Sequence, residues 1–138
     1  MKKSSGFTLI EILVVVTIIG LLTLTAVVTY GAFLKQSMDA KRKGDLGQVA
    51  AALEMYRSNS DTYPVGSVWA TTLNILKTPV VYIQSLPTDP KSSSYSYYYT
   101  GSISDYTLGA YLESGGTTCF ASQCGGNCNY CLGPYGQK

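Results

Sequence analysis

Residues 2–24 read KKSSGFTLIEILVVVTIIGLLTL. Two lysines, a glycine and a phenylalanine lead into an apolar run, and one carboxylate, Glu11, sits near the start of that run. From Ile12 to Leu34 there is no charged residue. As a helix, a stretch of about 23 residues rises roughly 34 Å, enough to cross a bilayer core. A secretory signal peptide fits poorly, because the run is long and no A-x-A-like cleavage site follows it. A plain membrane anchor fits the length but leaves Glu11 without a reason. A charge inside a membrane segment costs a few kcal/mol and usually has a partner and a role.

Around this stretch the composition is that of one small domain plus a segment. The chain has 138 residues, of which 13% are charged and 46% hydrophobic. Ten basic and eight acidic side chains leave a net charge of +2, and Lys2 and Lys3 account for the excess. Such a neutral chain argues against nucleic acid as a required partner. The absence of histidine removes His-based acid–base catalysis and most zinc chemistry, and no nucleophile–base pair is visible. An enzyme is not expected, and neither is a cofactor.

The apolar helix does not stop at the membrane length. No proline interrupts Phe7–Tyr63. Gly20 and Gly31 weaken the helix locally. Leu46, Val49, Ala50, Leu53 and Tyr56 recur at helical spacing and predict a core-facing stripe. Asp39 and Lys43 are spaced as an i,i+4 ion pair. Turn formers at Ser58-Asn59-Ser60-Asp61 predict the helix end. Beyond it, Val68–Leu76 reads as a short helix with Trp69, Leu73 and Leu76 on one face. Ser94–Thr100 and Asp105–Leu112 read as two strands joined by a hairpin loop at Gly101–Ser104. The tyrosine run YSYYYT (95–100) reads as strand, not as a stacking platform for bases, since no basic cluster accompanies it.

KKSSG followed by FTLIE and an unbroken apolar helix resembles the N-terminal signal of type IV pilins and type II secretion pseudopilins. The resemblance implies a pilin-like α+β fold. One long helix, apolar in its first half and amphipathic in its second, packs on a small antiparallel β-meander, with a Cys-rich C-terminal tail. It implies a leader peptide over 1–6, a membrane or filament-core half over 7–34, and a head over 35–138 that includes the tail, 117–138. A prepilin peptidase/methyltransferase would cleave between Gly6 and Phe7 and methylate the new amine of Phe7. Assembly would then pair that amine with Glu11 of a neighbouring subunit. An amine with an ordinary pKa near 8 is largely cationic at neutral pH.

Further partners implied are identical or homologous pilin subunits, an inner-membrane assembly platform and the membrane itself. The localisation implied is single-pass in the inner membrane, N-terminus inside, with the head in the periplasm or outside the cell. Positive charge does not supply that orientation, because Lys35, Lys41, Arg42 and Lys43 lie on the far side of the segment.

ALEMYRSNSDTYP, YIQSLPTDP and YTLGAYLESGG (52–64, 82–90 and 106–116) are similar to the major pseudopilins of type II secretion. Those motifs favour a pseudopilus subunit for protein export, while the lost acidic loop and the cysteine tail favour a type IV pilus subunit for adhesion, twitching or DNA uptake; the export reading is slightly preferred. The end of the chain departs from the family, which typically has an acidic calcium-binding loop there. Ser114–Lys138 contains no Asp or Glu, so no calcium ligands are assigned. Asp89, Asp105 and Glu113 are read as a turn former and surface charges.

The tail instead carries Cys119, Cys124, Cys128 and Cys131. An exported domain favours two disulfides, while four-thiolate zinc and free or intermolecular thiols are alternatives. Four cysteines allow three pairings, and Cys119–Cys131 with Cys124–Cys128 is only mildly preferred. A rival of another class is a membrane-tethered Cys-rich metal or redox module.

Overall fold

The computed structural model describes residues 6–138, except the side chain of Val28. Of the expected leader, residues 1–5 lie outside the described residues. Helix α1 runs Leu9–Ser60. The chain forms two compact units, Met1–Lys35 and Gln36–Lys138. In the first, α1 is exposed along its length, and Leu9–Val27 is long and apolar enough to cross a membrane.

In the second unit, α1 ends where the turn formers predict. Asp61 takes a left-handed conformation (φ 58°) and its N–H still bonds to the Arg57 carbonyl at 2.8 Å. That geometry closes a helix by satisfying a late carbonyl while turning the chain away. Next come a one-turn helix α2, Trp69–Thr72, and a 3₁₀ turn, Leu73–Leu76. These share the span read as one short helix, and Leu73 and Leu76 are fully buried.

Four strands follow: β1 Tyr98–Gly101, β2 Tyr106–Ala110, β3 Tyr130–Gly133 and β4 Gly136–Gln137. They form an antiparallel meander in the order β1-β2-β3-β4. The expected α+β, pilin-like layout is present, with a larger sheet than expected. The first strand starts later than Ser94 because Ser94 and Tyr95 turn back, both donating to the Lys91 carbonyl. The second ends before Leu112 because the Asn129 amide bonds both the N–H and the carbonyl of Leu112, at 2.6 and 2.9 Å. The tail does not hang beside the meander as a separate appendage. It supplies β3 and β4.

Period-two alternation gives the sheet two different faces. Tyr97, Tyr99, Tyr106, Leu108 and Ala110 join Leu46, Val49, Ala52 and Leu53 of α1 in one core with Tyr63, Leu73, Leu76 and Ile83. On the other side, Tyr98, Tyr111 and Phe120 pack on Cys124, Cys128 and Cys131. Each fully buried Leu contributes about 1.5–3 kcal/mol by leaving water. With a layer on each side, every residue of β2 is buried. Gly109 is closely approached, since a Cβ there would lie 3.0 Å from Cys128 Sγ and the bridge would have to yield.

The tyrosines of this core are structural. The Tyr99 hydroxyl donates to the Pro64 carbonyl at 2.6 Å, and that of Tyr97 to Asp45 at 2.7 Å. Tyr63 and Tyr106 meet edge-on at 4.8 Å and both donate to Glu54. Such pairing is what lets a buried phenol keep its polar end. Burial, reinforced by Asp45, pushes the Tyr97 hydroxyl well above the usual phenol range.

Candidate functional site

The N-terminal signal is laid out openly. Gly6, Phe7 and Thr8 precede the helix and are exposed, Phe7 at 80%. Thr8 and Glu11 are arranged as a capping box. The Glu11 N–H points at the Thr8 hydroxyl at 3.4 Å, and the Thr8 N–H returns to a Glu11 carboxylate oxygen at 3.4 Å. The Glu11 side chain thereby answers a donor that no helix turn can satisfy. The charge itself has no basic side chain against it among the described residues.

Farther along, the hydroxyls of Thr17, Thr23, Thr25 and Thr29 donate back to carbonyls one turn earlier. Polar groups satisfied inside their own helix are tolerable in lipid. Glu11 is the one charged side chain among residues 7–34.

In the head, four tail cysteines form two disulfides, Cys119–Cys131 and Cys124–Cys128. Their sulfurs are committed to covalent bonds, so they do not supply a zinc or thiol site.

The strongest electrostatic feature lies outside the sequence-based expectations. Arg42 is fully buried, and Asp39 and Asp89 are each 4% exposed. Arg42 Nε and Nη2 donate in parallel to Asp89 at 2.8 and 3.0 Å, and Nη1 donates to Asp39 at 2.9 Å and Glu113 at 3.2 Å. Lys91 Nζ bonds Glu113 at 2.6 Å. Tyr95 lies over the guanidinium at 5.3 Å and stacks on Tyr111. Burial alone would lower the Arg42 pKa, but the bonds to Asp89 and Asp39 outweigh it and raise it. Burial likewise works against ionised Asp39, yet hydrogen bonds from Ser114, Glu113 and Arg42 hold its carboxyl below the ordinary value. Glu113 is held low first by Lys91.

Two expectations are thereby corrected. Asp39 pairs with Arg42, not with Lys43, which instead lies over the Tyr130 ring at 5.5 Å. Glu113 is not a surface charge, because Arg42 reaches it inside the head; Asp89 forms its turn as expected, accepting from the Lys91 N–H at 2.7 Å, and is in addition buried against Arg42. Glu113 belongs to the same cluster, while Asp105 is a surface charge bonded to Lys138. A signal was present: residues 39 and 42 fall in phase with 46, 49 and 53, so two charges stand on the core-facing stripe.

Residues 1–27 match the prokaryotic N-terminal methylation motif. The chain is 34% identical over 130 residues to the type II secretion system core protein G of Pseudomonas aeruginosa, spanning 84% of this chain and 90% of that one. It is 32% identical to the core protein G of Vibrio cholerae, over 84% of this chain and 87% of that one. A probable minor fimbrial protein of Dichelobacter nodosus is 39% identical over 62 residues, 45% of this chain and 39% of that one. No solved structure matches it significantly. With most of two such proteins covered end to end, the chain belongs to the type II secretion system core protein G family.

Proposed function

We propose that this chain is a structural subunit of a type II secretion pseudopilus, and not an enzyme. A prepilin peptidase cuts between Gly6 and Phe7, Phe7 is methylated, and residues 7–34 hold the subunit in the inner membrane with the head, 35–138, beyond it. An assembly platform then draws subunits into a filament of identical or homologous copies. The observation that carries this reading is Glu11: an exposed carboxylate in the first turn of an apolar helix, with its backbone role met by Thr8 and no basic side chain against it among the described residues.

Cleavage creates a cation four residues away, on the amine of Phe7. An unpaired carboxylate in a low-dielectric bundle is costly, and a paired one much less so. Pairing with a neighbour's amine sets register, while the apolar faces of Ile12, Val16 and Ile19 supply cohesion. Glu11→Ala should therefore remain in the membrane fraction yet yield few filaments by electron microscopy. Normal filaments from that variant would sink the assignment of Glu11.

A second reading, a type IV pilus subunit, is favoured by the similarity to the Dichelobacter nodosus fimbrial protein. Filament length on cells separates the two. Long surface fibres indicate a pilus, and short periplasmic ones a pseudopilus.

A further inference from the structure

The family resemblance implies a calcium ion held by an acidic loop toward the C-terminus, and the donor set of this chain does not fit one. Calcium takes roughly 6–8 oxygen ligands, carboxylates prominent among them. Ser114–Lys138 has no carboxylate side chain. The carboxylates that gather beside the start of that segment are Asp39, Asp89 and Glu113, and all of their oxygens already accept from N–H groups. Asp39 Oδ1 accepts from Arg42 and the Glu113 N–H, and Oδ2 from the Ser114 N–H. Asp89 Oδ1 accepts from Arg42 and the Lys91 N–H, and Oδ2 from Arg42. Glu113 Oε1 accepts from Arg42 and Oε2 from Lys91. Among the described residues no group of ligating side chains is placed to hold a metal ion.

We propose that Arg42 is the resident cation of this head, tying α1 to the Asp89 turn and to the Glu113–Ser114 segment, and that the head is stable without calcium. A guanidinium differs from a metal in one decisive respect. Bound calcium stabilises in proportion to the logarithm of its free concentration. A cation carried by the chain cannot be diluted away. Its planar fork also suits the two parallel bonds to Asp89, where a spherical ion would have no such preference. Two cations face three carboxylates, and the N–H groups of Lys91, Glu113 and Ser114 make up the difference. The loop that follows Ser114 is then closed by the two disulfides and by Asn129, so no part of its closure calls for a metal.

The proposal rests on the family assignment and not on the filament reading. Dispersed subunits in detergent micelles test it, so a failure to assemble cannot be confused with its failure. The full chain is melted while following Trp69 fluorescence, in millimolar calcium and in excess chelator, and radiolabelled calcium is offered in equilibrium dialysis. Coincident midpoints and no retained calcium are expected. A midpoint raised several degrees by calcium, or stoichiometric retention, overturns the proposal. Arg42→Met should lower the midpoint in either buffer, and an unchanged midpoint overturns it equally. If Arg42→Met does not fold, Arg42→Lys should fold with a midpoint below that of the unaltered chain, and an unchanged midpoint counts against the fork. The calcium comparison on the unaltered chain needs no variant.

Discussion

Arg42 and Asp89, 47 residues apart in sequence, meet inside the head through two parallel hydrogen bonds of 2.8 and 3.0 Å. Breaking a buried pair from one side leaves the other charge stranded, at a cost of about 3–5 kcal/mol. Asp89→Ala should lose stability on that scale in urea denaturation of the detergent-solubilised chain. Replacing both members by apolar residues should cost less than the two single losses added together, because no charge is left behind.

Acid should release the same cluster. Asp39 and Glu113 are held below their ordinary values of 3.8 and 4.5. A carboxylate with a depressed folded-state pKa adds stability that is full above its unfolded pKa and is lost as pH falls through the folded one. Urea midpoints should be level from neutrality to about pH 5 and decline below about pH 4. Asp39→Asn should start lower and decline less.

The disulfides set a third expectation. Cys119–Cys131 spans 12 residues and Cys124–Cys128 only 4. A cross-link limits the unfolded chain more when its loop is longer, and typical bridges contribute about 2–4 kcal/mol. Replacing Cys119 and Cys131 by Ser should therefore cost more, by chemical denaturation, than replacing Cys124 and Cys128. Near-equal losses would show that packing against Tyr98 and Phe120 matters more than loop closure.

Gly101 is a steric checkpoint. A Cβ there would collide with the Tyr99 hydroxyl and the Pro64 carbonyl, which are themselves bonded. Gly101→Ala should cost about 1–3 kcal/mol by overpacking. Tyr99→Phe, which removes the hydroxyl and leaves the carbonyl unanswered, should cost about 1–3 kcal/mol as well. Combining the two should be less than additive in a thermal melt, because loss of the Tyr99 hydroxyl relieves part of the clash.

Glu11→Gln separates helix capping from charge. Glutamine can still close the box with Thr8. Membrane fractionation should therefore match the unaltered protein, while filament yield should fall as it does for Glu11→Ala. Filaments at normal yield would mean that the cap, and not the charge, is what assembly needs.

Much of this architecture is legible in sequence because its signals are local. The unbroken run from Ile12, the stripe Leu46–Tyr56 and the turn formers before Asp61 each act within a few residues, and each appears in the structure where the pattern puts it. Tyr106, Leu108 and Ala110 alternate into the core for the same reason. The tail was harder. Tyr130–Gly133 is four residues among glycines and cysteines, and its strand character comes from pairing with β2, not from its own composition. The Arg42 cluster is hard to read from sequence because its partners lie on three separate segments. Only the phase of Asp39 and Arg42 with the apolar stripe hinted that charge enters the core, and nothing local names Asp89 as the partner.

The place of β3 has a consequence for timing. β2 is bordered by β1 on one side and by residues 130–133 on the other. A chain that emerges N-terminus first can pair β1 with β2 early, yet the sheet stays half-open until the cysteine-bearing segment has followed. Long-range pairing of this kind is slow relative to helix formation. The helix can thus form while the sheet is still incomplete, and the head closes its core only when the last segment of the chain has arrived.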